Sequence, residues 1–333
     1  MTSIRNAFLA LAAAAATSAP LPALADLTLY SGRGEPLIAP IISAFTAETG
    51  INVNVRYGGT AELAILLQEE GDRSPADLFW AQDAAALGAV AGMFQPLPQE
   101  TLDRVPAAYR DSEGRWIATS GRGRVLAYST ERLSAEEMPA TMAELTDPRF
   151  RGRIALAPTN GSFLAHVAAL RVVAGDEAAR AWLQGLAANE PVMVRNNTAM
   201  IQAIGDGEAD LGVTNNYYLV RFHRRAADFP VNQMLFPTQG DIGNLLLVAG
   251  MGVLSGSDHS DEAVAFINFL LSDAAQQFFS GEVAEFPVTG RVIPTRVDDV
   301  SLEDVVRMAP EVDLNTLGDL EGALEMVREA GLL

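Results

Sequence analysis

From Leu27 onward, short apolar stretches alternate with longer ones of helical period, in two successive runs; that alternation confines the chain to α/β architectures. In the first run Leu27–Tyr30 reads as a strand and Ser31-Gly32-Arg33-Gly34 as a turn, and Pro36 stands where a helix accepts proline at its first position. Leu37, Ile38, Ile41, Ile42 and Phe45 recur at helical spacing up to Gly50, a helix stop. Ile51, Val53, Val55 and Tyr57 alternate with polar residues, which predicts a half-buried strand closed by Gly58-Gly59. Thr60 caps a helix over 61–70, and a third strand, Ala76–Trp80, leads into Gln82-Asp83.

The second run repeats the pattern. Arg153–Ala157 reads as a strand, and Pro158-Thr159-Asn160-Gly161 turns into a helix holding Phe163, Leu164, Val167 and Leu170. A helix over 176–188, a strand over 192–194, a helix capped by Asn196-Asn197-Thr198 and a strand over 211–214 follow, and Asn215-Asn216-Tyr217-Tyr218 opens another helix. The apolar segment Gly243–Leu254 predicts a buried strand that returns the chain to the first unit, finished by helices over 260–271 and 273–280. The acidic, leucine-containing tail from Ser301 reads as a helical surface with no chemistry of its own. Two such runs predict two lobes, each a mostly parallel sheet flanked by helices.

Composition removes whole classes of chemistry. The formal charge of −19 opposes binding to duplex DNA or an anionic membrane. There is no cysteine, which excludes zinc ribbons, iron–sulfur clusters, thiol nucleophiles and disulfides. All 23 positive side chains are arginine, so a Walker A loop, a pyridoxal Schiff base and a Ser–Lys nucleophile are excluded as well. Residues 1–25 carry Arg5, an apolar stretch from Ala7 to Ala16 and the Ala23-Leu24-Ala25 pattern. They read as a secretory signal cleaved after Ala25, with the periplasm or another extracytoplasmic space as destination. The apolar stretch is too short to span a bilayer.

In parallel sheets, ligands bind beyond the carboxyl ends of the strands. Six turns fall there, around Arg33, Tyr57, Gln82, Asn160, Asn197 and Asn215, rich in glycine, asparagine, serine, tyrosine and arginine. These residue types favour turns for backbone reasons alone, but six clusters on one predicted rim also supply oxygen donors and anion binders. Phenolate is a hard, anionic oxygen ligand, and ferric iron is acidic enough to strip several phenols of their protons. The free amides at the Asn160-Gly161-Ser162 helix start suit an oxyanion, and Arg33 and Arg124 carry the geometry for bidentate pairing with carbonate or phosphate.

Several segments make the chain resemble the periplasmic ferric-ion-binding proteins of iron ABC transporters: LTLYSGRGE (27–35), FTAETGINVNVRYGGTAEL (45–63), GDRSPADLFWAQDA (71–84), GRGRVLAYS (121–129), DPRFRGRIALAPTNGSFL (147–164), RNNTAMIQAI (195–204) and LGVTNNYYLVRF (211–222). The resemblance implies a two-lobed type II periplasmic binding fold with a ligand cleft between lobes. We place lobe 1 at 26–122 plus 248–300 and lobe 2 at 123–247 plus 301–333, with chain crossings near 122–126 and 245–250. Tyr217 and Tyr218 match the paired iron-ligating tyrosines; Asn160, Gly161, Ser162, Asn197 and Asn215 match positions that hold a synergistic anion. Gly34 replaces the histidine, and Gln82 the glutamate, that some members use. Tyr57 resembles the extra tyrosine of the branch lacking that histidine. The implied site is therefore three phenolates on Fe(3+) plus carbonate or phosphate, Arg33 and Arg124 near the anion, and Gln82 in an outer position. The implied partner is a permease with a separate ATPase, served by a monomeric shuttle that touches no nucleic acid and spans no membrane.

Two other readings stand beside it. The same fold could bind a phosphonate, sulfate, thiamine or polyamine, the last using Trp80 and Asp83. An enzyme would need more than His166, His223 and His259. His259 lies near Ser257 and Asp258, but neighbours in sequence do not generally converge with triad geometry, and no G-x-S-x-G or H-E-x-x-H motif is present.

Overall fold

The computed structural model describes residues 26–290, 292, 300 and 302–333 of the 333, so the expected leader at 1–25 lies outside the described residues. The first unit begins with β1 (Leu27–Ser31), α1 (Glu35–Thr49), β2 (Val53–Tyr57), α2 (Thr60–Glu70), β3 (Leu78–Ala81), α3 (Ala84–Ala89) and α4 (Gln99–Leu102). Gly50 ends α1 with φ 78°, a left-handed turn that a residue without Cβ adopts at no steric cost. Strand β1 pairs in parallel with both β2 and β3, as the alternation predicts.

The long strand β4 (Trp116–Ser129) then leaves this unit. The second unit follows as β5 (Ala155–Leu156), α5 (Gly161–Ala174), α6 (Asp176–Ala188), β6 (Val192–Met193), α7 (Asn197–Asp206), β7 (Leu211–Asn215), α8 (Tyr217–His223) and β8 (Val231–Met234). Strand β9 (Leu246–Val253) returns the chain, and α9 (Ser260–Leu270), α10 (Asp273–Phe278), α11 (Leu302–Met308) and α12 (Leu320–Glu329) complete it.

The sheet is mixed rather than mostly parallel. Its order is β2-β1-β3-β9-β4-β7, with β8 also on β4. Parallel pairing holds for β1–β2, β1–β3 and β5–β6, whereas β4 and β9 run antiparallel to every strand they meet. The reason is topological: β4 and β9 are the connectors between units. From Trp116 to Gly123 strand β4 pairs with β9, and from Arg124 onward it pairs with β7 and then β8. The pairing partner changes between residues 123 and 124.

Apolar packing divides along the same line. One core joins β1, β3, the start of β4 and β9 with α9 and α10; its rings meet edge to face, Phe45 on Phe266 at 4.8 Å and Trp80 on Phe279 at 6.1 Å. A second core packs α5 and α6 around Phe150, Leu183 and Leu211. The tail is shared: Leu314 and Leu317 belong to the first core, whereas Ala323, Met326 and Val327 of α12 belong to the second. Assigning all of 301–333 to the second lobe is therefore corrected at 314–317. Among the described residues no helix is long and apolar enough to cross a membrane.

Candidate functional site

A cleft of about 780 Å³ opens where the strand ends of the two units face each other. The β1–α1 turn, the start of α2 and Gln82-Asp83 wall one side; Thr159–Ser162, Tyr217, Tyr218 and Arg221 wall the other. Gly32 belongs to this wall for a steric reason: a Cβ there would fall 2.1 Å from Oγ1 of Thr60, so only glycine lets the turn seat against α2.

Tyr217 and Tyr218 occupy the first two positions of α8. Their rings stack with centroids 4.4 Å apart and planes 29° apart, and Arg221, one turn on, lies 5.7 Å and 5.9 Å from the two centroids. Burial first, then the charge of Tyr217 and a hydrogen bond with it, raise the Tyr218 phenol above its usual range; Arg122 and Arg221 act the other way.

The anion-type residues form one connected network. Asn160 caps α5, its Oδ1 accepting from the Ser162 amide at 3.0 Å and from Asn197 Nδ2 at 3.4 Å. Asn215 Nδ2 donates to Ser162 Oγ at 3.0 Å, and Arg124 Nη1 donates to Asn215 Oδ1 at 2.9 Å. The Gly161 amide, at the first helical position, is one that a helix leaves without an internal partner. Asn160, Gly161, Ser162, Asn197 and Asn215 are thus brought together.

The arginines are arranged differently from the expectation. Arg33 turns away from the cleft into a buried ion pair, Nη2 to Glu285 Oε2 at 2.8 Å, and lies 5.2 Å from the Trp80 ring. Burial alone would raise Glu285, but the charge and hydrogen bonds of Arg33, a bond from Ser120 and the charge of Arg122 outweigh it and hold this carboxyl below its usual range. Arg124 is fully buried, spends Nη2 on the Val213 carbonyl at 2.8 Å, and stands behind Asn215. Its burial, together with Arg122, brings it down to about 9 against the opposing pull of Tyr218 and Tyr217, which leaves it charged at neutral pH. Besides Arg221, the cation lining the cleft is the buried Arg122, which sequence reasoning missed. It is 1 % exposed, and its Nε and Nη1 have no partner. Its place in GRGR is a signal in hindsight: Arg122 and Arg124 share one face of a strand by two-residue periodicity.

Gln82 lines the cleft with a buried Oε1 that has no partner. Tyr57, the last residue of β2, is 39 % exposed and does not line the cleft; burial and the Glu35 charge hold its phenol above the usual range. The tail is not chemically remote, because Leu320, Glu321 and Leu324 of α12 form part of the cleft wall.

The histidines are placed apart from this chemistry. His166 is buried, bonds the Ile242 carbonyl through Nε2 at 2.6 Å, and falls to about 3, chiefly through burial and then through the Arg124 charge. Ser257 Oγ donates to Asp77 Oδ1 at 2.6 Å, and His259 Nδ1 meets the same oxygen at 3.3 Å. Here the carboxylate stands between serine and imidazole, the reverse of what activating a serine requires.

Comparison with known proteins agrees with this geometry. The family model for bacterial extracellular solute-binding proteins, a substrate-binding family rather than an enzyme family, matches residues 73–309. The chain is 36 % identical to the major ferric iron-binding protein of Neisseria meningitidis over 99 % of both chains. Iron-bound HitA from Pseudomonas aeruginosa superimposes with a TM-score of 0.85 at 32 % identity, covering 92 % of this chain and 99 % of HitA. A Trichodesmium protein solved with iron and citrate gives 0.78 at 28 % identity, with the same coverage of 92 % and 99 %. Full-length likeness and a shared clamshell lead to one conclusion: the chain belongs to the bacterial extracellular solute-binding proteins, in the group of the ferric iron-binding proteins.

Proposed function

We propose that this protein captures ferric iron with a small oxyanion, carbonate or phosphate, in the periplasm, and delivers the iron to the permease of an ABC transporter driven by a separate ATPase. The observation that carries the reading is the stacked Tyr217–Tyr218 pair in a cleft whose wall also presents Arg122 with its Nε and Nη1 unpartnered. Phenolates suit a hard trivalent ion. Two from α8 and a third from Tyr57 balance its charge.

Tyr57 reaches the ion when the lobes, 26–122 plus 248–300 and 123–247 plus most of the tail, close about residues 123–124 and 245–246. Metal bonds that exist only in the closed state drive that closure. The oxyanion then accepts from Arg122, the Gly161 amide, Ser162 and Asn197, while Asn160, Asn215 and Arg124 hold those donors in place. Gln82 Oε1 takes an outer position, and Arg33 stays with Glu285. The relatives named for ferric iron support the cargo, and the neighbour holding citrate supports an added oxyanion. The protein works as an exported monomer freed of residues 1–25 and carries out no covalent chemistry.

A second reading keeps the fold and replaces iron with a phosphonate or sulfate, favoured by the cleft volume and by Arg122. Thiamine or a polyamine would place its cation against Arg122 and Arg221. Thermal melting separates these readings, since a ligand of the native state raises the midpoint with concentration. The iron reading expects a rise with ferric iron plus bicarbonate or phosphate and little with any oxyanion or polyamine alone. A rise with a phosphonate or sulfate that iron does not increase would overturn it.

A further inference from the structure

Helix α8 carries both tyrosines but has only seven residues, too few to hold its own position. Leu219 seats it in a core with Met200, Ile201 and Val231, and at both ends it is also held by one segment from the other unit. At its start, Asn216 Nδ2 donates to the Ala284 carbonyl at 3.1 Å while Asn216 Oδ1 accepts from the Gly123 amide at 3.0 Å. Just past its end, Arg224 donates from Nη1 to the Glu282 carbonyl at 3.0 Å and from Nη2 to the Gly281 carbonyl. Between these points Ala284 packs against Tyr217 and Val220.

The supporting segment is itself unusual and firmly rooted. Phe279–Val283 forms a single π-type turn, and Ala284 follows at φ 63°, a left-handed conformation that a residue with a side chain adopts at a cost. Phe279 and Val283 belong to the core of the first unit. Glu285 is clamped by Arg33 and by Ser120, whose Oγ donates at 2.6 Å. Phe286 exchanges two backbone hydrogen bonds with Gly121, at 2.7 Å and 2.8 Å.

We propose that residues 279–285 are a strut that positions the tyrosine helix relative to the β1–α1 turn, with Glu285 and Arg224 as its positioning residues. The proposal rests on the reading of Tyr217 and Tyr218 as iron ligands. A metal site needs its ligands held to a fraction of an ångström, and a short helix obtains that only from its supports. The Arg33–Glu285 pair is the far end of this support, so the arginine of the first turn serves the site without touching it.

Two variants test the strut. Arg224→Ala removes two contacts from an exposed side chain and leaves the core intact. The double change Arg33→Met with Glu285→Met replaces a buried ion pair by apolar groups of similar length, an exchange that folds tolerate. The readouts are the position of the visible phenolate–iron band and the rate of iron release to a chelator. We expect a shifted band and release faster by about 10–100-fold, the range for groups that orient a ligand, with Arg224→Lys recovering part of the loss. Folded variants of both kinds with the wild-type band and release rate would overturn the proposal. Should wild type form no band, the iron reading fails, and the strut is judged from the iron-free protein. Near-ultraviolet circular dichroism of the stacked Tyr217–Tyr218 pair would then change in both variants, and an unchanged signal would overturn the strut independently.

Discussion

Tyr217 and Tyr218 stack ring on ring at 4.4 Å, and Tyr218 is held above the usual phenol range by burial and by its bonded neighbour. A phenol that ligates a metal must first give up its proton, so ligation by this pair, as proposed, would make iron capture a proton-releasing event.

The first prediction follows from that linkage. Adding ferric iron at pH 7 in weak buffer releases at least about two protons per ion, measured in a pH-stat after correction for iron hydrolysis. Apparent affinity falls as pH falls, by about tenfold per pH unit for each proton released. Binding that leaves the pH unchanged after that correction would remove the phenols from the site.

Arg122 links function to a stability cost. A buried guanidinium with Nε and Nη1 unpartnered carries a desolvation penalty of several kcal/mol, which the charges of Glu285 and Asp83 offset in part and a bound anion offsets further. Arg122→Met therefore melts higher than wild type without ligand. It also holds carbonate or phosphate about 10–150-fold more weakly, matching the loss of charged hydrogen bonds worth about 1.5–3 kcal/mol. A variant that melts lower and keeps its anion affinity contradicts the assignment.

Tyr57 tests closure separately from ligation by the pair. In Tyr57→Phe the band from Tyr217 and Tyr218 persists at reduced intensity, while scattering in solution shows a smaller compaction on loading and iron leaves faster. If the variant compacts and retains iron as wild type does, Tyr57 belongs to the surface it occupies in this structure, where it is 39 % exposed.

His166 gives a pH signature unrelated to iron. Its folded value is about 3 against an ordinary 6.5, so between those values the unfolded chain binds the additional proton. Stability of the iron-free protein therefore falls as pH drops below 6.5 and stops falling, for this group, near 3. Urea unfolding at pH 7 and pH 4.5 measures the slope, and His166→Gln, which still donates to the Ile242 carbonyl, flattens it. An equal slope in the variant would assign the acid sensitivity elsewhere.

What could be read from sequence was local. The spacing of Ile38, Ile41, Ile42 and Phe45 marks α1, Asp176–Ala188 is α6 to the residue, and Asn160 and Asn196 are the caps their types suggest. The residue pattern alone does not mark β4 as a strand, because WIATSGRGRVLAYS lacks a polar–apolar alternation. Nearly all of it is buried, and its arginines serve the cleft and Asn215 rather than solvent. Nor could sequence tell which arginine meets the anion. Arg33, Arg122 and Arg124 all sit beside glycines, and the choice depends on partners far along the chain: Glu285, 252 positions from Arg33, and Asn215, 91 positions from Arg124. The tail was read as remote because its helical face shows only that Ala323, Met326 and Val327 are buried, not that this burial against α5 swings Leu320 and Leu324 into the cleft.

The central claim is that phenolates of this chain bind ferric iron, and a visible absorption spectrum reads that bond directly. Purified protein, stripped with a chelator and titrated with ferric iron in the presence of bicarbonate or phosphate, is predicted to develop a phenolate-to-iron charge-transfer band that saturates at one ion per chain, vanishes on renewed chelation, and is lost from Tyr217→Phe combined with Tyr218→Phe. A folded wild-type protein that stays colourless at saturating iron and anion would contradict the account.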